Sequence, residues 1–146
     1  MRLGVSFSQT LSGTFHRLSD PGEEFPLQLE LRGFFPLRRV LTRVADIEGT
    51  VDAEGLATRR RVTGTLAFRI VQGGRLIYEL RFDGDDGRER RFQGETELVL
   101  ERPKRSLERV FGRIFDDDAE EARVILHDPL EESIPRILRS LRTRSE

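Results

Sequence analysis

LIYELRFDGDDGRERRFQGET, Leu76 to Thr96, carries the pattern on which the fold turns. Leu76, Tyr78, Leu80 and Phe82 alternate with Ile77, Glu79 and Arg81, and beyond an acidic, glycine-bearing break Phe92, Gly94 and Thr96 alternate with Gln93 and Glu95. A period of two is the mark of a half-buried strand, so the stretch is predicted to be a hairpin. Residues directly opposite in a hairpin share a face, and two even-numbered apolar sets therefore require pairs whose numbers sum to an even value. A three-residue loop, Asp85-Asp86-Gly87, meets that condition. It sets Leu80 against Phe92 and Tyr78 against Gly94, with glycine at the left-handed position.

The same parity test applies upstream. A two-residue Gly73-Gly74 turn would pair odd with even, whereas a Gln72-Gly73-Gly74 loop pairs Ile70 with Leu76 and Phe68 with Tyr78. Alternation also runs through Val5, Phe7, Gln9, Leu11, Gly13 and Phe15, whose opposite face is rich in hydroxyls. After a turn read at SDPGEE it runs through Phe25, Leu27, Leu29 and Leu31, and it resumes at Ile47, Gly49 and Val51 and at Val62, Gly64, Leu66 and Phe68. A less regular strand is expected from Leu107 to Phe115, and a last one over Ala122, Val124 and Leu126, beyond the acidic turn DDDAEE.

The period changes at two places. Leu37, Val40, Leu41 and Val44 fall at i, i+3, i+4 and i+7, which predicts a short amphipathic helix starting near Pro36. Asp128, Pro129 and Glu131 form a capping arrangement ahead of the stripe Leu130, Ile134, Ile137, Leu138 and Leu141, and Pro135 should kink that helix. The expectation is a single domain over residues 1–146: mainly β, with an antiparallel up-and-down β-barrel of about eight strands over 3–127, a short helical insertion and a C-terminal helical segment over 128–143. The alternative is a curved antiparallel sheet packed on the C-terminal helix.

Composition narrows function more than it names it. At 146 residues a single core can bury about 70% of the unfolded chain's surface. Cysteine is absent, which excludes disulfides and thiolate metal sites. The 25 basic and 26 acidic side chains nearly cancel, so no global field favours nucleic acid, and no nucleic-acid partner is expected. MRLGVSFSQT lacks the apolar run of a signal peptide and no stretch is long enough for a membrane span, so a soluble cytoplasmic protein is the expectation.

Chemistry-bearing motifs are sparse. Gly13, Gly49, Gly64 and Gly94 are irregularly spaced and each lies inside continuing alternation, so they are read as bends or close approaches in a sheet, not as phosphate loops. DGDDG, Asp83 to Gly87, lacks the further oxygen ligands of a calcium loop and is read as a hairpin turn. Arg59, Arg60 and Arg61 would point to alternating sides of a strand. His16 shares the hydroxyl-rich face, and His127 cannot be placed beside it from sequence. No metal site and no cofactor is expected. Gln9, Tyr78 and Thr96 are more informative: they fall on apolar faces among Phe7, Phe15, Phe68 and Phe92, and a mostly apolar cavity with a few placed hydrogen-bonding groups is the make-up of a small-molecule site. The plain alternative is a core with locally paired polar groups.

GRLIYELRFDGDDGRERRFQGE, Gly74 to Glu95, together with FSQTLSGTF near the start, resembles a lipocalin-like bacterial β-domain found with cholesterol oxidase-like flavoproteins and lipid-active hydrolases. Tyr78, Leu80, Phe82, Gly87 and Gly94 fill the matching places. The chain has no flavin-binding or hydrolase domain of its own, and the near-terminal tryptophan of true lipocalins is missing. What the resemblance implies is a setting of apolar, sterol-like or acyl substrates.

The functional expectation is therefore non-catalytic binding or carriage of a hydrophobic small molecule, of lipid, sterol or acyl type, in a barrel cavity. The ligand-binding set is Phe7, Gln9, Phe15, Phe68, Tyr78, Phe92 and Thr96, with Phe34, Phe35, Leu37 and Leu41 at a portal. The alternatives are an accessory interaction module for a lipid- or sterol-processing partner enzyme, and a barrel-type lipid isomerase or cyclase in which Tyr78 or a nearby carboxylate moves a proton.

Overall fold

The alternating apolar runs become eight antiparallel strands that close on themselves. A computed structural model of the protein describes residues 4–36, 44–69, 75–97 and 109–127. Its strands are β1 (Gly4–Arg17), β2 (Asp20–Pro36), β3 (Val44–Ala53), β4 (Ala57–Arg69), β5 (Arg75–Asp83), β6 (Glu89–Glu97), β7 (Val110–Asp116) and β8 (Ala119–His127). Each pairs with the next, and β8 returns to pair with β1 from Arg17↔Ala122 to Ser12↔His127. An open curved sheet is thereby ruled out, because neither the first nor the last strand has a free edge along that stretch.

The stagger of the barrel can be followed residue by residue. Stepping to the opposite residue from Phe7 leads through Gly33, Ile47, Gly64, Leu80, Phe92, Ile114 and Ala122 and rejoins β1 at Arg17, ten residues further on. A ten-residue shear over eight strands, with a rise of about 3.3 Å per residue and about 4.8 Å between strands, tilts the strands by about 40°. That is a narrow barrel, wide enough to be filled by its own side chains or to hold one small ligand.

Its two rims differ. Four short turns, Leu18–Ser19, Glu54–Leu56, Gly84–Arg88 and Asp117–Asp118, close the lower rim. The strand ends leading into residues 37–43, 70–74 and 98–108 lie at the upper rim, as do both ends of the described chain.

Parity at the β5–β6 hairpin is as expected: Leu80 pairs with Phe92 and Tyr78 with Gly94, and Gly87 has φ +82°. The β4–β5 hairpin keeps the expected faces but not the expected pairs. Phe68 meets Leu76 and Leu66 meets Tyr78, a register two residues away from the one expected. A slip of two residues leaves every side chain on its face, which is why the pattern alone allowed both. The turn read at SDPGEE is confined to Leu18–Ser19, with β2 starting at Asp20. Val44, assigned above to a helical insertion, opens β3, while Leu37 and Leu41 and the C-terminal helical segment 128–143 lie outside the described residues.

Gly13, Gly49 and Gly64 answer to one cause. All three face inward, and a Cβ on each would land on a backbone carbonyl oxygen of the next strand, that of Ile125, Glu30 and Glu79 respectively. The strands coil so tightly at the waist of the barrel that backbone occupies the place of a side chain. At Gly94 the neighbour is a ring: atoms of Phe92 stand 2.7 and 2.8 Å from the Cβ position, and the same ring covers Gly112, the cross-strand partner of Gly94.

Inside, the wall is apolar and filled. Leu11, Val62, Leu66, Leu76, Tyr78, Ile114 and Leu126 are each 0% exposed. A water-sized void would leave part of its lining uncovered, so side chains touch these residues on all sides. Toward the lower end Phe15 stacks in a tilted arrangement on Phe25, with ring centroids 5.7 Å apart.

Candidate binding site

Among the described residues, three polar side chains interrupt the apolar interior in the upper half of the barrel. Gln9 comes from β1, Tyr78 from β5 and Thr96 from β6, all on inward-facing positions and all buried. In a ring of eight, β1 and β5 are diametrically opposed. Tyr78 nevertheless reaches Gln9: its Oη–H donates to Gln9 Oε1 at 2.9 Å, so one hydrogen bond crosses the lumen. Thr96 is the cross-strand partner of Leu76, one inward position above Tyr78, and the stagger puts it at the height of Gln9. An amide carbonyl is not a base, so this contact orients the phenol without taking its proton.

The expected ligand set is split by the barrel axis. Phe7, Gln9, Tyr78 and Thr96 lie together in the upper half, where the ring of half-buried Phe7 covers its cross-strand partner Gly33 and meets Ile47. Phe15 lies lower, against Phe25, and Phe92 covers Gly94, the cross-strand partner of Tyr78. Phe68 has its backbone in this upper part of β4, but its side chain and that of Phe35 lie outside the described residues, as do Leu37 and Leu41. Phe34, expected at a portal, faces outward, since inward positions on β2 are odd-numbered. It helps to line a groove on the outer wall with Ser6, Ser8, Arg32, Asp46 and Thr63.

A second concavity crosses the outer wall from β5 to β8, over Ile77, Phe111 and Ile125, with His16, Glu79, Arg113 and Arg123 around them. Phe111 and Ile125 are cross-strand partners, 56% and 43% exposed.

No family model, curated protein or solved structure matches the chain. The geometry therefore has to speak for the site by itself. Among the described residues no helix is long and apolar enough to cross a membrane.

Motif reading missed the charged seal of the lower rim. Arg90 points inward, is 4% exposed and donates from Nη1 and Nη2 to both carboxylate oxygens of Asp86 at 2.9 and 2.8 Å, from Nε to Glu121 Oε2 at 2.8 Å, and from Nη1 to the Arg88 carbonyl at 2.9 Å. Asp116 Oδ2 lies 4.0 Å from Nη2. The Arg90 guanidinium, aided by the Arg88 backbone N–H, holds the Asp86 carboxyl well below the usual carboxylate range, and the same carboxylate raises Arg90 further above its ordinary value. The signal was present: parity places Arg90 opposite Phe82 on the inward face.

Next to this seal, Asp85 accepts hydrogen bonds from the Thr58 backbone N–H at 2.9 Å and hydroxyl at 2.7 Å and from Arg60 Nε at 3.0 Å. These bonds, those from Thr58 foremost, lower its pKa and fasten the β3–β4 turn to the β5–β6 turn. The carboxylates of DGDDG that head the hairpin are thus bound to cations and amides of the protein itself. The arginine run is likewise divided, Arg60 to Asp85 and Arg61 to Glu48 at 3.9 Å, while the Arg59 backbone N–H donates to Asp52 at 2.9 Å.

Proposed function

We propose that the barrel is a non-catalytic binding protein for a hydrophobic small molecule, held in its upper half. The observation that carries this reading is the Gln9, Tyr78 and Thr96 group: three hydrogen-bonding side chains, uncharged, inside an otherwise apolar described wall and beneath the rim from which the two longest connections leave. The interior is filled from Leu76 down and the lower rim is sealed by Arg90, so the ligand enters from above and has to push side chains aside. Phe7 is the side chain it displaces, being half-buried and resting on a glycine. A lipocalin-like kinship and a lipid, sterol or acyl ligand belong to this reading, as the sequence resemblance suggests, and a cytoplasmic setting goes with it as the opening residues suggest.

Thermal-shift and native mass measurements with fatty acids, fatty alcohols and sterols test it. A specific ligand raises Tm with concentration, because binding the folded state alone adds RT ln(1 + [L]/Kd) to stability. The Tyr78→Phe variant should bind more weakly. No bound species and no shift with any member of the panel would end this reading.

A second reading, an accessory module that docks on a lipid- or sterol-processing partner enzyme, is favoured by the exposed Phe111 and Ile125 pair on the outer wall. Co-purification from cell extract with wild type but not with Phe111→Ser separates the two, since that substitution leaves the interior untouched.

A further inference from the structure

Apolar surface on the outer wall is gathered, not scattered. Among the described residues the exposed large apolar side chains are Leu18, at a turn, and the cross-strand partners Phe111 and Ile125. Stepping across the strands at the height of that pair gives Ile77 on β5, Glu95 on β6, Phe111 on β7 and Ile125 on β8. The next outward row, one step toward the lower rim, is Glu79, Gln93, Arg113 and Arg123. Both rows line the concavity that runs from β5 to β8. An exposed apolar band edged by polar side chains is the make-up of a surface that meets another protein.

Charge decides which protein that is. Arg113 and Arg123 are like charges directly opposite each other, a destabilising arrangement, and they share one carboxylate, Glu120, at 3.7 and 3.1 Å. At the other end of the row Glu79 is exposed between Thr65 and Gln93, neither of which carries a charge. The row thus has a negative charge at its β5 end and an excess of positive charge at its β8 end. A twofold axis lying along the strands between β6 and β7 turns β5 of one copy onto β8 of another at the same height. Glu79 of each copy then meets Arg123 of the other, Ile77 meets Ile125, and the two Phe111 rings come together beside the axis. A twofold running across the strands would instead lay Ile77 over Glu79, Phe111 over Arg113 and Ile125 over Arg123. We infer that the wall from β5 to β8 is self-complementary and that two copies of this chain pair face to face through it. The inference is independent of what the barrel holds, and it gives the outer wall a different occupant from the partner enzyme of the second reading.

Sedimentation velocity of the full chain over a wide range of concentration reads the pairing. Wild type should pass from monomer to dimer and go no further, because a contact of this symmetry closes on itself. Phe111→Ser should raise the midpoint of that passage at least about tenfold. Glu79→Arg and Arg123→Glu should each do the same alone, since each sets like charges face to face. An equimolar mixture of the two should dimerise again, because every facing pair is then opposite in sign. Phe111→Ser, at an exposed position, carries the test should Arg123→Glu fail to fold. A wild type that stays monomeric at every concentration, a dimer indifferent to Phe111→Ser, or a mixture of the two folded charge variants that stays monomeric would overturn the inference. The first of these leaves the wall to a different protein, and none of them touches carriage of a small molecule.

Discussion

Tyr78 and Gln9 stand 69 residues apart in the chain and on opposite walls of the barrel, yet their side chains meet at 2.9 Å. Strand pairing fixes the circumference of the barrel; this contact fixes a diameter. A buried hydrogen bond of this kind contributes on the order of 1 kcal/mol net, and more is lost when one partner is left unsatisfied.

Replacing Tyr78 by Phe should therefore lower stability by about 1–2 kcal/mol, seen as a reduced midpoint in urea with an unchanged slope. A double-mutant cycle with Gln9→Leu should give a coupling of roughly 1 kcal/mol. Strictly additive effects would mean that the two side chains act independently.

Arg90→Met should be among the more damaging single changes, costing on the order of 2–4 kcal/mol, because it leaves Glu121 and Asp86 without the cation they share, while Arg88 still holds Asp116 at 3.0 Å. Arg90→Lys retains the charge but not the fork that grips both oxygens of Asp86, and should fall between wild type and Met. Chemical denaturation of the three proteins side by side checks the order.

Acid should weaken the same end of the molecule. Asp85 and Asp86 titrate below their ordinary value of 3.8 in the folded chain, Asp85 through Thr58 and Arg60 and Asp86 through Arg90 and Arg88. The unfolded chain then binds protons more readily than the folded one. Their contribution is full at neutrality and is lost as the pH falls from about 4 through the lowered folded values. Thermal midpoints measured downward from pH 6 should show that decline, and it should be shallower in Arg90→Met and in Thr58→Val.

Alanine at Gly13, Gly49 or Gly64 would drive a methyl into a carbonyl of the adjoining strand, and each should cost at least about 1–3 kcal/mol. Gly22→Ala is the control: its nearest neighbour to the added carbon is a side-chain oxygen of Asp20 at 4.0 Å, and the change should stay within about 0.5 kcal/mol. Equal effects at Gly49 and Gly22 would contradict the close approach at the waist.

The hairpin from Leu76 to Thr96 was readable because Gly87 permits one turn geometry and the parity of Leu80 and Phe92 admits few registers. From that hairpin, alternation sufficed to assign faces to the other strands. The β4–β5 register was not readable. Registers two residues apart put Phe68, Leu66 and Tyr78 on the same faces, and QGG marks no single turn. Asp20, Pro21 and Gly22 look like a turn by composition, but β2 pairs with β3 only from Leu27 onward, so on that side Pro21 has no ladder donor to supply.

The site was legible as a face and not as a constellation. Alternation puts Gln9, Tyr78 and Thr96 inside, but whether they meet depends on closure, which makes β1 and β5 opposite. The same holds for Arg90, whose partners Asp116 and Glu121 arrive from β7 and β8. Phe34 is assigned outward by parity once the register of β2 is known, and a cluster of apolar residues near Pro36 gives no sign of that.

Closure between β1 and β8 also sets an order of events during synthesis. Residues 12–17 emerge early but cannot find their last partners until residues 122–127 leave the ribosome. Until then the nascent protein carries two unpaired edges, one fixed at β1 and one advancing with each new strand. Long-range pairing of this kind is slow, and the interval is when edge-to-edge association competes. β1 spends that interval with serine and threonine at positions 6, 8, 10, 12 and 14, so one side of the waiting strand is already suited to water.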